Sequence, residues 1–233
     1  MRAGVRCLAV VALALGYSAT TACSNGAFGP TSPSPGLSSA QPAAPRTVTT
    51  STPGPGSTTP GIELTVVPRS DGSFDITENL RLPAATDMLP LQLPASGDQL
   101  PGMMSPTKPR VTNLNVVADD QSVPIENTTL SASGDIPLTV AATRFRLTYR
   151  LSGSAVLATP SQTGRAGAAI RPLTASADGS LPTDVTVTSG LLNAICPLLA
   201  EPRCAVGDPA RLTVRPDIPA GKALVVLQLD LPR

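Results

Sequence analysis

Histidine is absent from all 233 residues, and that gap decides much of what this chain can catalyse. A Ser-His-Asp triad needs an imidazole as its general base, and the zinc sites of the usual enzymes are built on imidazole nitrogens. Neither can be assembled here. Ser105-Pro106-Thr107-Lys108 has the S-x-x-K spacing in which a lysine amine, one helical turn away, assists a serine nucleophile. Pro106 and Pro109 oppose that helix, and no S-D-N or K-T-G accompanies it, so a proline-rich surface loop is expected. Asp119-Asp120 lacks the D-x-D-x-D-G pattern of a calcium loop and reads as a turn. Asn127-Thr128-Thr129 is formally a glycosylation sequon. Two features are more informative. Glu78 shares parity with Phe74, Ile76, Leu80 and Leu82, which points its carboxylate inward. A buried carboxylate must be paired, hydrogen-bonded or neutral. Glu78 is therefore a polar group in a ligand cavity, a strand-end partner of an arginine, or a residue turned outward by a bulge. Arg144, Arg146 and Arg150 form a basic stripe on one strand face. It either meets an anionic wall polymer, such as a phosphate-bearing glycan, or is a solvated face balanced by nearby carboxylates. These residues offer no metal or cofactor site, and no enzyme is expected.

The elements that would position these groups are strands. Ile62 to Val66 alternates, Asp71-Gly72-Ser73 signals a turn, and Phe74 to Leu82 continues at period two. Phe145, Leu147, Tyr149 and Leu151 oppose Arg144, Arg146, Thr148 and Arg150. Val185/Val187, Leu212/Val214 and Val225/Leu227/Leu229/Leu231 repeat the pattern, and Asp178-Gly179 reads as a second hairpin-type turn. Prolines 83, 90, 94, 101, 106 and 109 exclude a long helix, leaving Leu191–Ile195 as a helical turn or two before Pro197. The expected fold is an all-β, antiparallel two-sheet sandwich with immunoglobulin-like architecture as its nearest type. With no Trp, three Phe and two Tyr, its core must be aliphatic. The same scarcity disfavours sugar platforms built on exposed aromatic faces.

The N-terminus says where such a domain would work. Met1–Arg6 is basic, Cys7–Gly16 is apolar, and small residues lead to Cys23, the layout of an export signal removed by cleavage. The apolar run is too short to span a membrane. Residues 18–23 resemble a bacterial lipobox, although Thr20 stands where an aliphatic residue is usual. The resemblance implies a signal peptide over 1–22 and acylation of Cys23, with palmitate-type chains, at the extracytoplasmic face of the cell membrane. The alternative is plain secretion with Cys23 as a bare thiol. Residues 24–60 contain 27 Ser, Thr, Pro or Gly among 37 and a single charge, Arg46. Such a segment buries too little apolar surface to offset its ordering entropy and reads as a stalk, glycosylated or not. The folded domain is expected over 61–233. Loss of Arg2 and Arg6 with the signal takes the net charge from +1 to −1, which gives no basis for nucleic-acid binding.

With Cys7 removed and Cys23 lipidated, Cys196 and Cys204 remain as a disulfide pair in an oxidising compartment, stapling an excursion between Gly190 and Asp208. Asp71–Glu78 and Phe145–Gly153 resemble the extracellular β-sandwich of a family of bacterial predicted membrane proteins of unknown function, without that family's transmembrane helices. This resemblance implies a sandwich and no activity. The functional expectation is a non-enzymatic, stalked interaction or accessory module that meets an envelope protein or wall polymer. The alternative is a carrier of a hydrophobic lipid or glycolipid.

Overall fold

The structure is a computed structural model and describes residues 55–158, 164–208 and 211–233. The expected signal, Cys23 and the stalk to residue 54 lie outside the described residues. Thirteen strands form among the described residues: β1 (Gly61–Pro68), β2 (Phe74–Leu91), β3 (Arg110–Ala118), β4 (Gln121–Ser122), β5 (Gly134–Ser152), β6 (Ala155–Leu157), β7 (Arg165–Ile170), β8 (Pro182–Val187), β9 (Leu191–Ile195), β10 (Ala205–Val206), β11 (Thr213–Val214), β12 (Ile218–Pro219) and β13 (Val225–Asp230). Seven make one sheet in the order β12-β8-β1-β2-β5-β3-β4, four make a second in the order β6-β7-β13-β9, and β10–β11 is a two-residue ribbon. The inward faces of the two large sheets share one apolar cluster, so the chain is an all-β two-sheet sandwich.

Period-two patterning sets the registers. Ile62, Leu64 and Val66 of β1, Phe74, Ile76 and Leu80 of β2, and Phe145, Leu147, Tyr149 and Leu151 of β5 are all buried, as their alternation requires. Pairing aligns them in rows across the sheet, for example Leu64 beside Glu78 and Glu78 beside Leu147. The β1–β2 hairpin turns where Asp71-Gly72-Ser73 predicts. Gly72 takes φ +79°, and the Asp71 carboxylate accepts the Ser73 N–H and hydroxyl at 2.9 and 2.6 Å. Asp178 captures Ser180 in the same way. That second turn joins no hairpin, however. It leads into β8, which lies parallel to β1, the one parallel strand pair among the described residues. Parallel neighbours need a crossover, and here the chain crosses from β7 in the small sheet to β8 in the large one.

One further expectation is corrected. Leu191–Ile195 forms strand β9, because pairing with β13 from Leu191↔Leu229 to Ile195↔Val226 outweighs a helical propensity that Pro197 had already confined to a turn. Pro55–Pro60, grouped with the stalk by composition, turns back onto the large sheet. Ser57 donates to Glu63 at 2.7 Å, and Arg81 donates to the Ser57 carbonyl at 3.2 Å.

The proline-rich segment 92–109 contains one short 3-10 turn, Gly97–Gln99, and forms a strap over the outer face of the small sheet. Its neck is closed by the Ser96 hydroxyl, which donates to the Thr107 carbonyl and accepts the Thr107 N–H at 3.1 and 3.0 Å. Leu100 and Met103 of the strap bury Ala169, Leu224 and Val226. β13 is thereby covered on both faces, which is why Val225-Val226-Leu227 is apolar without alternation. The Cys196–Cys204 disulfide is present, with both residues fully buried at the end of β9. Replacing both cysteines with alanine is expected to lower stability by about 2.5 kcal/mol through the freed loop entropy. Met103→Ala is expected to lose roughly 2 kcal/mol by uncovering Val226. Urea denaturation followed by far-UV circular dichroism measures both.

Candidate functional site

Glu78 is the only acidic residue fully enclosed in the core among the described residues. It occupies the centre of an inward row that is otherwise aliphatic: Val185, Leu64, Glu78, Leu147 and Val116 on five successive strands. Four donors surround it. The Leu173 N–H and the Tyr149 hydroxyl reach Oε2 at 2.8 and 3.2 Å. The Thr174 N–H reaches Oε1 at 2.9 Å, and the Thr174 hydroxyl donates to the same oxygen. No arginine pairs with it and no bulge turns it outward. Three of these donors belong to the β7–β8 crossover, where Leu173, Thr174 and Ala175 are buried, and the fourth, Tyr149, lies on β5. A buried backbone N–H must find an acceptor, and those of Leu173 and Thr174 find this carboxylate. Glu78 is thus an internal tether between the crossover and the large sheet.

Burial pushes the Glu78 carboxyl above its ordinary value of 4.5, an effect that the Thr174, Leu173 and Tyr149 donors offset only in part. Burial also raises the Tyr149 hydroxyl, and the Glu78 charge adds to this. On the surface the direction reverses. The Ser73 and Ser180 hydroxyls hold Asp71 and Asp178 below 3.8, and Asp75 is lowered by Arg150 and Arg69 despite some burial.

The arginine stripe lies on the outward face of β5, as its parity requires. Arg150 donates to Asp75 at 2.9 Å, and Arg69 meets the same carboxylate at 2.6 Å. Arg144 pairs with Asp119 and Asp120 at 3.3 and 2.8 Å. Arg146 is exposed, and its guanidinium has no ion pair or hydrogen bond among the described residues. Asp119 and Asp120 make the predicted turn, both at positive φ as a two-residue hairpin of the β3–β4 type requires, and Asp119 also accepts the Thr143 and Arg144 N–H groups. No group of three or more metal-ligating side chains gathers among the described residues. Ser105 to Lys108 lies in the strap in non-helical conformation, so the S-x-x-K spacing brings no amine over the hydroxyl. Asn127 is exposed and accepts the Thr129 N–H.

Sequence parity alone did not reveal one feature of the same outward face. The register aligns Thr186, Thr65, Thr77, Thr148 and Asn115 in a single row across β8, β1, β2, β5 and β3. Alternation shows that each residue points outward, but only pairing shows that they are neighbours. Depressions of about 270 Å³ lie on either side of this row. One is lined by Ser57, Asn79, Asp120, Arg144 and Arg146, and the other by Val67, Asp75, Thr77, Thr148 and Arg150. A larger open depression of about 780 Å³ sits beside β9.

No family model and no curated protein matches the chain. Among solved structures it is similar to an aminopeptidase N family protein from Idiomarina loihiensis, at 13% identity and a TM-score of 0.43. The likeness covers 72% of this chain and 29% of that one. So distant a likeness assigns neither fold nor activity.

The tether sets a pH dependence. A carboxyl whose folded value is raised contributes stability below its unfolded value and loses it as pH rises through the folded one. The lowered Asp71, Asp75, Asp119 and Asp178 behave oppositely, losing their contribution as pH falls below about 3.8. Stability is expected to peak in mild acid, at roughly pH 4–5, and to fall toward neutrality. Glu78→Gln should abolish the fall toward neutrality. It should also destabilise at every pH, because its amide NH₂ opposes the Leu173 or Thr174 N–H in either orientation. Thermal melts from pH 3 to 8 test this, with Tyr149, the sole Tyr after residue 22, as the near-UV probe.

Proposed function

We propose that this chain is a non-enzymatic cell-envelope lipoprotein, anchored through acylated Cys23 and carrying its sandwich on a stalk as an interaction or accessory module. One observation carries the reading: the polar groups of the domain divide between interior folding work and one open sheet face. Glu78, the inward group best suited to chemistry, has both oxygens occupied by the crossover. The arginines, threonines and asparagines of the large sheet instead lie on an outward face that Pro55–Pro60 covers only at one end. A module that works by contact needs such a face, and a stalk with the composition of residues 24–60 would present it away from the bilayer.

Carriage of a lipid or glycolipid is the second reading. It is favoured by the depression beside β9, where Leu192, Ile195, Pro202 and Leu212 give apolar lining next to Asn193, Arg203 and Gln228.

Growth with an alkyne-tagged fatty acid is expected to label the chain, and Cys23→Ser should release it unlabelled into the medium. Secretion of the unaltered chain without label would remove the anchor from the proposal. Native mass spectrometry of the gently purified protein separates the two readings, since a stoichiometric extractable lipid favours the carrier and a clean protein mass favours the contact module. Turnover of an envelope substrate that a point substitution abolishes would end both.

A further inference from the structure

Resting on the carriage reading, we propose that the proline-rich strap is a hinged cover, and that when it lifts the outer face of the small sheet takes a single unbranched acyl chain. The strap is fixed at two roots, where Gln92 donates its N–H to the Leu173 carbonyl at 2.7 Å and Lys108 donates to the Gly153 carbonyl at 3.0 Å. Between these roots its hydrogen bonds are internal. Ser96 and Thr107 close the neck, the Thr107 hydroxyl accepts the Gly97 N–H at 2.8 Å, and Met103 donates back to the Leu100 carbonyl at 3.3 Å. Among the described residues no hydrogen bond joins residues 93–107 to the small sheet. Of the large side chains, Leu100 and Met103 are buried against that sheet. The tip passes through Gly102 at φ +86° and Met104 at φ +49°, and Met104 is 83% exposed. A segment held down by two apolar side chains, with no ladder bonds to the surface beneath, opens more readily than the strands do.

Withdrawal of Leu100 and Met103 uncovers Val156, Gly167, Ala169, Val226 and Ile195, which lie on β6, β7, β13 and β9. At 4.7–4.9 Å per strand interval they form an apolar track of roughly 14 Å across the sheet. None of these side chains bears a polar atom. The present occupants show what chemistry the track accepts: a leucine and the flexible, unbranched thioether chain of a methionine. Ile195 stands at one end of the track, where a Cβ on Gly102 would lie 3.8 Å from its Cδ1, and it also lines the open depression beside β9. An acyl chain on the track would thus leave its head group in that depression, beside Asn193 and Gln228. The closed strap and the chain compete for one surface, so apparent affinity falls in proportion to the fraction of molecules with the strap lifted.

The test titrates the secreted Cys23→Ser chain, which needs no detergent, with radiolabelled palmitate below its micellar concentration. Palmitate is expected to bind about tenfold or more tightly than octanoate, since each further methylene on the track buries more apolar surface. Met103→Ala should tighten palmitate binding by about fivefold while lowering stability, because it removes a contact that only the closed strap makes. A Cβ on Gly167 would stand 3.6 Å from Met103 Cγ, so Gly167→Cys with Met103→Cys can bridge the strap to the sheet. The bridged chain should lose palmitate affinity by about tenfold or more, and mild reduction should restore it, with Cys196 and Cys204 shielded by burial. Undiminished binding by the bridged chain, or weaker binding by Met103→Ala, would overturn the proposal. Lipid that co-purified with the unaltered protein would then leave carriage standing with its site elsewhere. Absence of palmitate binding would also overturn the proposal, and a clean protein mass beside it would end carriage as well.

Discussion

A segment that crosses from one sheet to the other through the interior of a sandwich carries backbone N–H groups that no strand neighbour can satisfy. Here that segment is the β7–β8 crossover, and the acceptor is a glutamate set in the middle of an aliphatic row. Leu173 and Thr174 donate to it through their N–H groups while Tyr149 donates from the sheet below. Removal of the carboxylate would leave two buried donors without partners, each costing about 1–3 kcal/mol. Removal of the donors would leave a buried charge, which costs more. Each side of the arrangement depends on the other. The parallel placement of β8 against β1 depends on both, because the crossover delivers β8 to that edge.

The two sheets then meet different fates. The small sheet is covered inside by the sandwich core and outside by the proline-rich strap, so β13 is apolar on both faces. Proline suits the strap, since an extended chain lying over side chains needs no ladder hydrogen bonds. The large sheet is covered on its inner face, and its outer face keeps the polar half of the alternation. Packing alone thereby leaves the polar face on one side of the molecule.

The shortage of aromatic residues shapes both packing and recognition. Leu, Ile, Val and Ala fill most of the core, with Phe74, Phe145 and Tyr149 as its aromatic members. The buried Tyr hydroxyl finds a partner in Glu78, as a polar tip in a core requires. No aromatic ring is left for the surface of the described domain, so any ligand on the open face must be held by hydrogen bonds and charge.

Much of this was legible in the residues themselves. Strict alternation at Ile62–Val66, Phe74–Leu82 and Phe145–Leu151 determined which side chains face the core, because the period of a strand is two whatever its neighbours are. The Asp-Gly-Ser turns, the lack of long helices and the inward direction of Glu78 follow from equally local chemistry, and the Cys196–Cys204 pairing from setting aside Cys7 and Cys23. Local chemistry could not say what met those groups. Leu191–Ile195 became a strand because β13 lay alongside, and Asp178-Gly179 failed to make a hairpin because β8 joined the other sheet. Glu78 found its donors 95 and 96 residues away, and the threonines became a row only once five strands took their registers. The sequence by itself determined directions, through the geometry of single strands. The tertiary structure alone decided neighbours, because pairing and burial are settled between segments that are distant along the chain.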